Sequence, residues 1–309
     1  MSEFALRMQG FTRRFGALTA VAGLDLEVRP GELFGIVGPD GAGKTTTLRM
    51  LAGVLAPSAG DAEILGTSVR RNPEGVKARI AYMSQRFGLY TDLTVRENLD
   101  FYADLYGVPA SERPARLARL FAFSGLAPFE RRLAGQLSGG MKQKLGLSCA
   151  LVHEPELLLL DEPTFGVDPV SRRDLWLIIH EMVGRGVTVV VSTAYLDEAE
   201  RCDRVALLHQ GRLLALDSPA GLRAGFPGEL LALRGPRVRE ARALLAGEPL
   251  IEGAALFGDA LHLTVRSAAA ARAGIAARLA AAGLGELELA PLAAGLEDVF
   301  IALVSKAAA

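Results

Sequence analysis

Nine consecutive residues, GPDGAGKTT from Gly38 to Thr46, combine three glycines, a lysine and two adjacent hydroxyls in a spacing suited to phosphate. They fit G-x-x-x-x-G-K-[ST] directly after an apolar run and at the opening of a helical pattern, the context that raises this motif above chance. Gly38, Gly41 and Gly43 let the backbone curl, so that the N–H groups of the loop, through Asp40 and Ala42 to Thr46, face phosphate oxygens. Lys44 then reaches the outer phosphates and Thr45 can hold magnesium. Lysine is scarce in the chain, occurring otherwise only as Lys77, Lys142, Lys144 and Lys306, which singles Lys44 out. A second stretch, LLLLDE, sets Asp161 and Glu162 at the end of an apolar run. Alone, such a pair would more often serve a helix N-terminus. Beside a phosphate loop, Asp161 can steady magnesium through water and Glu162 can act as general base on an attacking water. A third stretch, LSGGMKQ (Leu137–Gln143), offers Ser138, Gly139 and Gly140 at a helix start, which reads either as an N-cap with a hinge or as a second phosphate receptor.

The elements that must position these groups follow from hydrophobic periodicity. Alternation in LDLEV, the Pro30-Gly31 turn and the apolar ELFGIVG predict two strands, and KTTTLRMLAGVLAP predicts a helix stopped by Pro57. ARIAYMS predicts another strand, ending at Gln85. From Val95 to His153 the patterns are helical, and the chain then returns to the uninterrupted apolar runs LLLLD and VTVVVS, typical of parallel strands covered on both faces. The first part is therefore read as α/β with a helical insertion. After Asp217-Ser218-Pro219 an alanine-rich segment, with short strands ELLALRG, ALHLTVR and ELELAPL around two helical stretches, predicts a separate small α+β domain.

A chain of 309 residues, half hydrophobic, can build one large domain and a small one. Its net charge of -1 provides no field of the kind that holds nucleic acid. No segment has the roughly 18 consecutive apolar residues needed to span a bilayer, and MSEFALRMQG lacks the basic region and apolar core of an export signal, so a soluble, unexported chain is expected. Cys149 and Cys202 lack ligand spacing and are expected as free thiols in a reducing cytoplasm. Arg113, Arg116 and Arg119 recur at helical spacing, as a solvated face or as a contact for a membrane partner or lipid headgroups.

The order of phosphate loop, Gln85 after its strand, helical insert, LSGG, LLLLDEP and the Asp168 turn resembles the nucleotide-binding subunit of an ATP-binding cassette (ABC) transporter, over about residues 4 to 218. The resemblance implies a P-loop NTPase domain over residues 1–218, with its insertion at about 86–155 and an accessory domain over 219–309. In that family two such domains pair head to tail, each ATP lying between the phosphate loop of one and the LSGG segment of the other. Ser138, Gly139 and Gly140 would then meet a partner's γ-phosphate, and Asp168 would reach across the dimer. Gln85 would approach magnesium and the water, and Lys44 and Glu162 would complete the catalytic set. Phe15 would stack on adenine, although a ring near the N-terminus is also explained by burial in the core. ATP and Mg²⁺ are the implied ligands. The implied partners are transmembrane permease subunits and a second ATPase subunit, identical or different, on the cytoplasmic face of the membrane, without nucleic acid. The ending GLEDVFIALV (Gly295–Val304) is similar to the C-terminal extension of ATPases serving multidrug and antibiotic exporters, and also reads as an ordinary amphipathic helix. Soluble ABC ATPases acting on ribosomes or DNA share the same motifs but usually carry tandem domains, a coiled-coil insertion or a basic arm.

One position departs from the family. It places a histidine, which contacts the γ-phosphate and orients the water, at the end of the strand in VSTAYLDEAE, where this chain has Ala194. A methyl cannot donate a hydrogen bond, so a weakened hydrolytic site is expected unless Thr193, Tyr195 or a water covers the gap. A nucleotide-sensing module with little hydrolysis is the extreme form of that expectation.

Overall fold

A computed structural model describes residues 3–85 and 88–308; residues 86–87, where the helical insertion is expected to begin, lie outside the described residues. The chain divides into two units, Met1–Leu216 and Asp217–Ala309. The first begins with β1 (Leu6–Phe15), β2 (Leu18–Val28), β3 (Leu33–Val37), α1 (Lys44–Leu51), β4 (Ala59–Ile64), β5 (Thr67–Ser68), α2 (Pro73–Lys77) and β6 (Ile80–Met83). Three longer helices follow, α3 (Val95–Leu105), α4 (Arg113–Ser124) and α5 (Gly139–Leu151), and then β7 (Leu157–Asp161), α6 (Pro169–Gly184), β8 (Thr188–Thr193), α7 (Leu196–Ala199), β9 (Arg204–His209) and β10 (Arg212–Asp217).

Two sheets result, one of order β2-β1-β4-β5 and one of order β10-β9-β3-β8-β7-β6. In the second, β3, β7 and β8 are buried at every position and pair in parallel. Their register decides where the chemistry falls. Val37 lies opposite Thr193 and Asp161 opposite Ser192, so the phosphate loop, the acidic pair and Ala194 all leave the same end of adjacent strands. The helix after the loop is shorter than its apolar pattern predicts: α1 closes at Leu51, with Gly53 at φ 64 in the left-handed region that ends helices, and does not run on to Pro57. In the insertion, Thr94 and Glu97 form a reciprocal capping box on α3 and Ser138 caps α5. Arg113, Arg116 and Arg119 pair with Asp104, Glu112 and Glu154, so this arginine row is charge-balanced within the fold. Cys149 and Cys202 are free and buried, and burial pushes the Cys202 thiol up to about 12.

The second unit runs α8 (Pro219–Ala224), β11 (Glu229–Arg234), α9 (Val238–Leu244), β12 (Ile251–Phe257), β13 (Ala260–Val265), α10 (Ala268–Ala281), β14 (Glu288–Leu292) and α11 (Leu296–Ala308). Its sheet has the order β12-β13-β11-β14 with antiparallel neighbours, the ferredoxin-like arrangement of a βαββαβ chain. Leu231, Leu233, Leu261, Leu263 and Val265 pack with Ala241 of α9 and Ile275 and Leu279 of α10. The sequence reading missed β12, whose centre, Gly253-Ala254-Ala255, has little strand propensity and is held by its pairing with β13. On the other parity of β13, His262 Nδ1 lies 2.7 Å from Asp298 Oδ1, and Asp298 Oδ2 accepts the Gly295 N–H at 2.9 Å. GLEDVFIALV thus opens α11 with a buried carboxylate fixed at both oxygens, and Leu296 and Val299 are buried beside it. Asp298→Ala is expected to cost about 1–3 kcal/mol, because it strands a largely buried ring nitrogen and a backbone donor. Urea unfolding of the full chain checks this, and an unchanged midpoint for the transition of this unit would contradict it.

Candidate active site

The loop between β3 and α1 is built as a cradle for an anion. Gly41 and Gly43 take φ values of 77° and 100°, conformations that side chains disfavour. Gly38 needs its missing side chain for another reason, since a Cβ there would stand 2.3 Å from the Leu208 carbonyl oxygen. α1 begins at Lys44 with no side-chain cap, so its first-turn N–H groups are available to a ligand. Lys44 Nζ donates to the carbonyls of Gly38 at 2.7 Å and Pro39 at 3.1 Å and lies 3.1 Å from Glu162 Oε1.

Around it stand the acidic groups. Asp161 is buried and accepts through Oδ1 from Thr45 Oγ1 at 2.9 Å and from Ser192 Oγ at 2.8 Å, with the Tyr82 hydroxyl 3.3 Å from Oδ2. Burial, reinforced by Asp161, pushes the Tyr82 hydroxyl up to about 12, which keeps it a donor. Glu162 has φ 48, uncommon for a side-chain-bearing residue. Its N–H donates to the Ser192 carbonyl and hydroxyl, both at 3.1 Å, and its Oε2 accepts from Gln85 Nε2 at 3.1 Å.

Phe15, Asp40, Gly41, Ala42, Gly43, Lys44, Thr45, Thr46, Gln85 and Glu162 all line one cavity of about 690 Å³, within the size range of small-ligand sites. Phe15 is 45% exposed, so it is no core residue, and the Arg13 guanidinium lies 4.5 Å from its ring centroid. Bare amides and one ammonium fit a polyphosphate; the Thr45 hydroxyl, Asp161 carboxylate and Gln85 amide supply the hard oxygen donors that suit Mg²⁺. The sequence reading missed Ser192, which ties Asp161 to the Glu162 backbone, and Gln210 and Leu18, which also line the cavity. For Ser192 the only signal was the polar Ser192-Thr193 pair at the end of an apolar strand; Gln210 and Leu18 gave none.

Ser138, Gly139, Gly140 and Asp168 do not line this cavity. They form a second cluster, where the starts of α5 and α6 meet. A Cβ on Gly140 would stand 2.1 Å from Ser171 Oγ, whereas one on Gly139 would meet nothing nearer than the Gly166 carbonyl oxygen at 3.9 Å. Asp168 caps α6 by accepting from the Val170 and Ser171 N–H groups, and the Ser171 N–H holds its carboxyl below the usual range. Ala194 is exposed beyond β8.

Cradle, lysine, acidic strand end and doubly wound sheet define a P-loop nucleotide-binding protein. The ABC transporter family matches residues 21–165. A probable multidrug ABC transporter ATP-binding protein of Escherichia coli, YbhF, is 49% identical over 238 residues, 76% of this chain, which spans 41% of that relative's length. The Nod factor export ATP-binding protein I of Paraburkholderia xenovorans is 36% identical over 308 residues, 99% of each chain. A solved ATP-binding subunit of an ABC transporter superposes with TM-score 0.65 at 31% identity, covering 71% of this chain and 92% of its own. The chain belongs to the ATP-binding proteins of the ABC transporter family. Replacing Lys44 by alanine is expected to raise the ATP-Mg dissociation constant about a hundredfold or more, because loop amides alone do not replace a charge paired with the outer phosphates. Calorimetry with the folded variant measures this, and equal affinity would contradict the assignment.

Proposed function

We propose that this chain is the ATP-hydrolysing subunit of an ABC exporter, working as a dimer on the cytoplasmic face of transmembrane permease subunits. The observation that carries the reading is the separation of two phosphate-suited surfaces in one fold. One is the lysine-bearing cavity. The other, at Ser138-Gly139-Gly140 beside Asp168, does not line that cavity and is suited to a nucleotide held by another subunit. Full-length similarity to an export ATP-binding protein supports the direction. Among the described residues no helix is long and apolar enough to cross a membrane, so the translocation path is assigned to partners.

In this reading, Lys44 leaves its carbonyl contacts for the β- and γ-phosphates, and the loop amides and first turn of α1 bind the remaining oxygens. Thr45, Asp161 and Gln85 would hold Mg²⁺, which when bound neutralises phosphate charge. Glu162 takes the proton of the attacking water. Phe15 stacks on the base, with one ring face covered by Arg13.

The remaining donor, expected at position 194, is missing. Thr193 is engaged elsewhere: its Oγ1 donates to Glu198 Oε2 at 2.6 Å and accepts the Tyr195 N–H, while the Arg172 guanidinium lies 4.2 Å from the Tyr195 ring centroid. Loss of one preorganised donor costs about 3 kcal/mol, a hundredfold or more in rate. Binding survives while turnover suffers, and a partner with a complete site would use the intact Ser138–Gly140 segment. Ala194→His is therefore expected to raise kcat of the purified chain by at least about tenfold. An unchanged kcat would contradict the weakened-site reading. Gly139→Asp, which has room within the subunit, is expected to leave ATP binding intact but to block ATP-driven dimerisation in a Glu162→Gln background, because a carboxylate would face the incoming phosphate. Sedimentation with ATP measures this, and dimerisation equal to the parent would overturn the head-to-tail arrangement.

A further inference from the structure

The polar strand end at Ser192-Thr193 leads to a carboxylate with no place in the hydrolytic scheme above. Glu198, on α7, is 1% exposed. Its Oε1 accepts from Thr164 Oγ1 and its Oε2 from Thr193 Oγ1, both at 2.6 Å, and Arg172 Nε stands 2.8 Å from Oε1 as counter-charge. A buried carboxylate is costly unless paired and hydrogen-bonded, and this one engages three separate segments. Thr164 lies two residues after Glu162, Thr193 immediately precedes Ala194, and Arg172 is in the first turn of the helix capped by Asp168.

We propose that Glu198 is a positioning residue for hydrolysis: it clamps the turn that carries Glu162 to the end of β8 and the start of α6. The proposal rests on the reading of Glu162 as general base. What requires such a clamp is the Glu162 backbone at φ 48, a conformation that persists only where its surroundings over-determine it. On one side the Glu162 N–H is pinned to Ser192 of β8. Two residues further on, the Thr164 hydroxyl is pinned to Glu198. Both pins lead to the same strand, because Thr193 shares the Glu198 carboxylate. The turn bearing the base is thereby tied at both ends to β8, and Arg172 extends the tie to the helix that presents Asp168 toward a partner. Position 194 leaves this fixed point, so the scaffold for a donor is retained although the donor is absent.

The test uses the full chain, in its native form and in the Ala194→His background, with ATP dissociation constant and kcat measured separately. Thr164→Val keeps the shape and removes only the hydroxyl; Glu198→Gln keeps the size and removes the charge. Each is expected to lower kcat by at least about tenfold while the ATP dissociation constant stays within about threefold, since displacement of a reacting group by an ångström is costly to rate. Thr164→Ser, which restores the hydroxyl, is expected to recover the parent kcat to within about threefold. Unchanged kcat in both Thr164→Val and Glu198→Gln overturns the proposal, as does a parallel loss of affinity and rate or a Thr164→Ser variant as slow as Thr164→Val. Glu162→Gln serves as control. If it abolishes turnover while neither Thr164→Val nor Glu198→Gln alters it, the clamp alone is wrong; if Glu162→Gln itself retains full kcat, the general-base reading falls and the clamp with it.

Discussion

One ammonium and two carboxylates lie buried together at the ends of parallel strands, and the architecture around them supplies what those charges need. Lys44 is 4% exposed, Asp161 1% and Glu162 9%. Desolvated charges are tolerated only when paired and hydrogen-bonded. Lys44 therefore has two loop carbonyls as well as Glu162, and Asp161 has three hydroxyls from three elements. These contacts satisfy the lysine. They also hold it where a triphosphate, with more negative charge to offer than one carboxylate and two carbonyls, can take it over.

The same constraint explains why backbone and side-chain requirements coincide in so few residues. The strand register brings Val37, Asp161 and Thr193 to one end of the sheet, and each strand then departs from ordinary geometry: glycines at 41 and 43, a left-handed Glu162, and a polar turn after Thr193. The second cluster uses another device, a buried glycine at 140 packed so closely on Ser171 that no side chain fits, next to an exposed Gly139 with room where a side chain would stand. In the proposed reading, such a site is completed by association with a second subunit.

How much of this was legible in the sequence depends on how local the cause is. GPDGAGKTT and LLLLDE carry their meaning in consecutive residues, and the apolar runs fix which strands are buried. Gly53 ends α1 earlier than its apolar pattern suggests because left-handed glycine geometry overrides periodicity. The strand at Ile251–Phe257 escaped notice because small residues give no strand signal of their own and depend on the neighbouring strand. Glu198 sits in an acidic, helical-looking stretch and would pass for surface; only the folding of Thr164, Thr193 and Arg172 around it makes it the buried centre of a network. The outlying Ala194 was visible at once as an absence, but the occupation of Thr193, which makes that absence matter, was not.

A site built to bind nucleotide and lacking one donor for hydrolysis should fill readily and turn over slowly. The most direct measurement is of saturation and turnover together, on one preparation of the purified full chain with ATP and Mg²⁺. Saturable, stoichiometric binding with steady-state turnover below about one per second is expected. Turnover of several per second by the chain alone, a usual enzymatic rate, would contradict the deficiency, and failure to bind ATP at millimolar concentration would contradict the site itself.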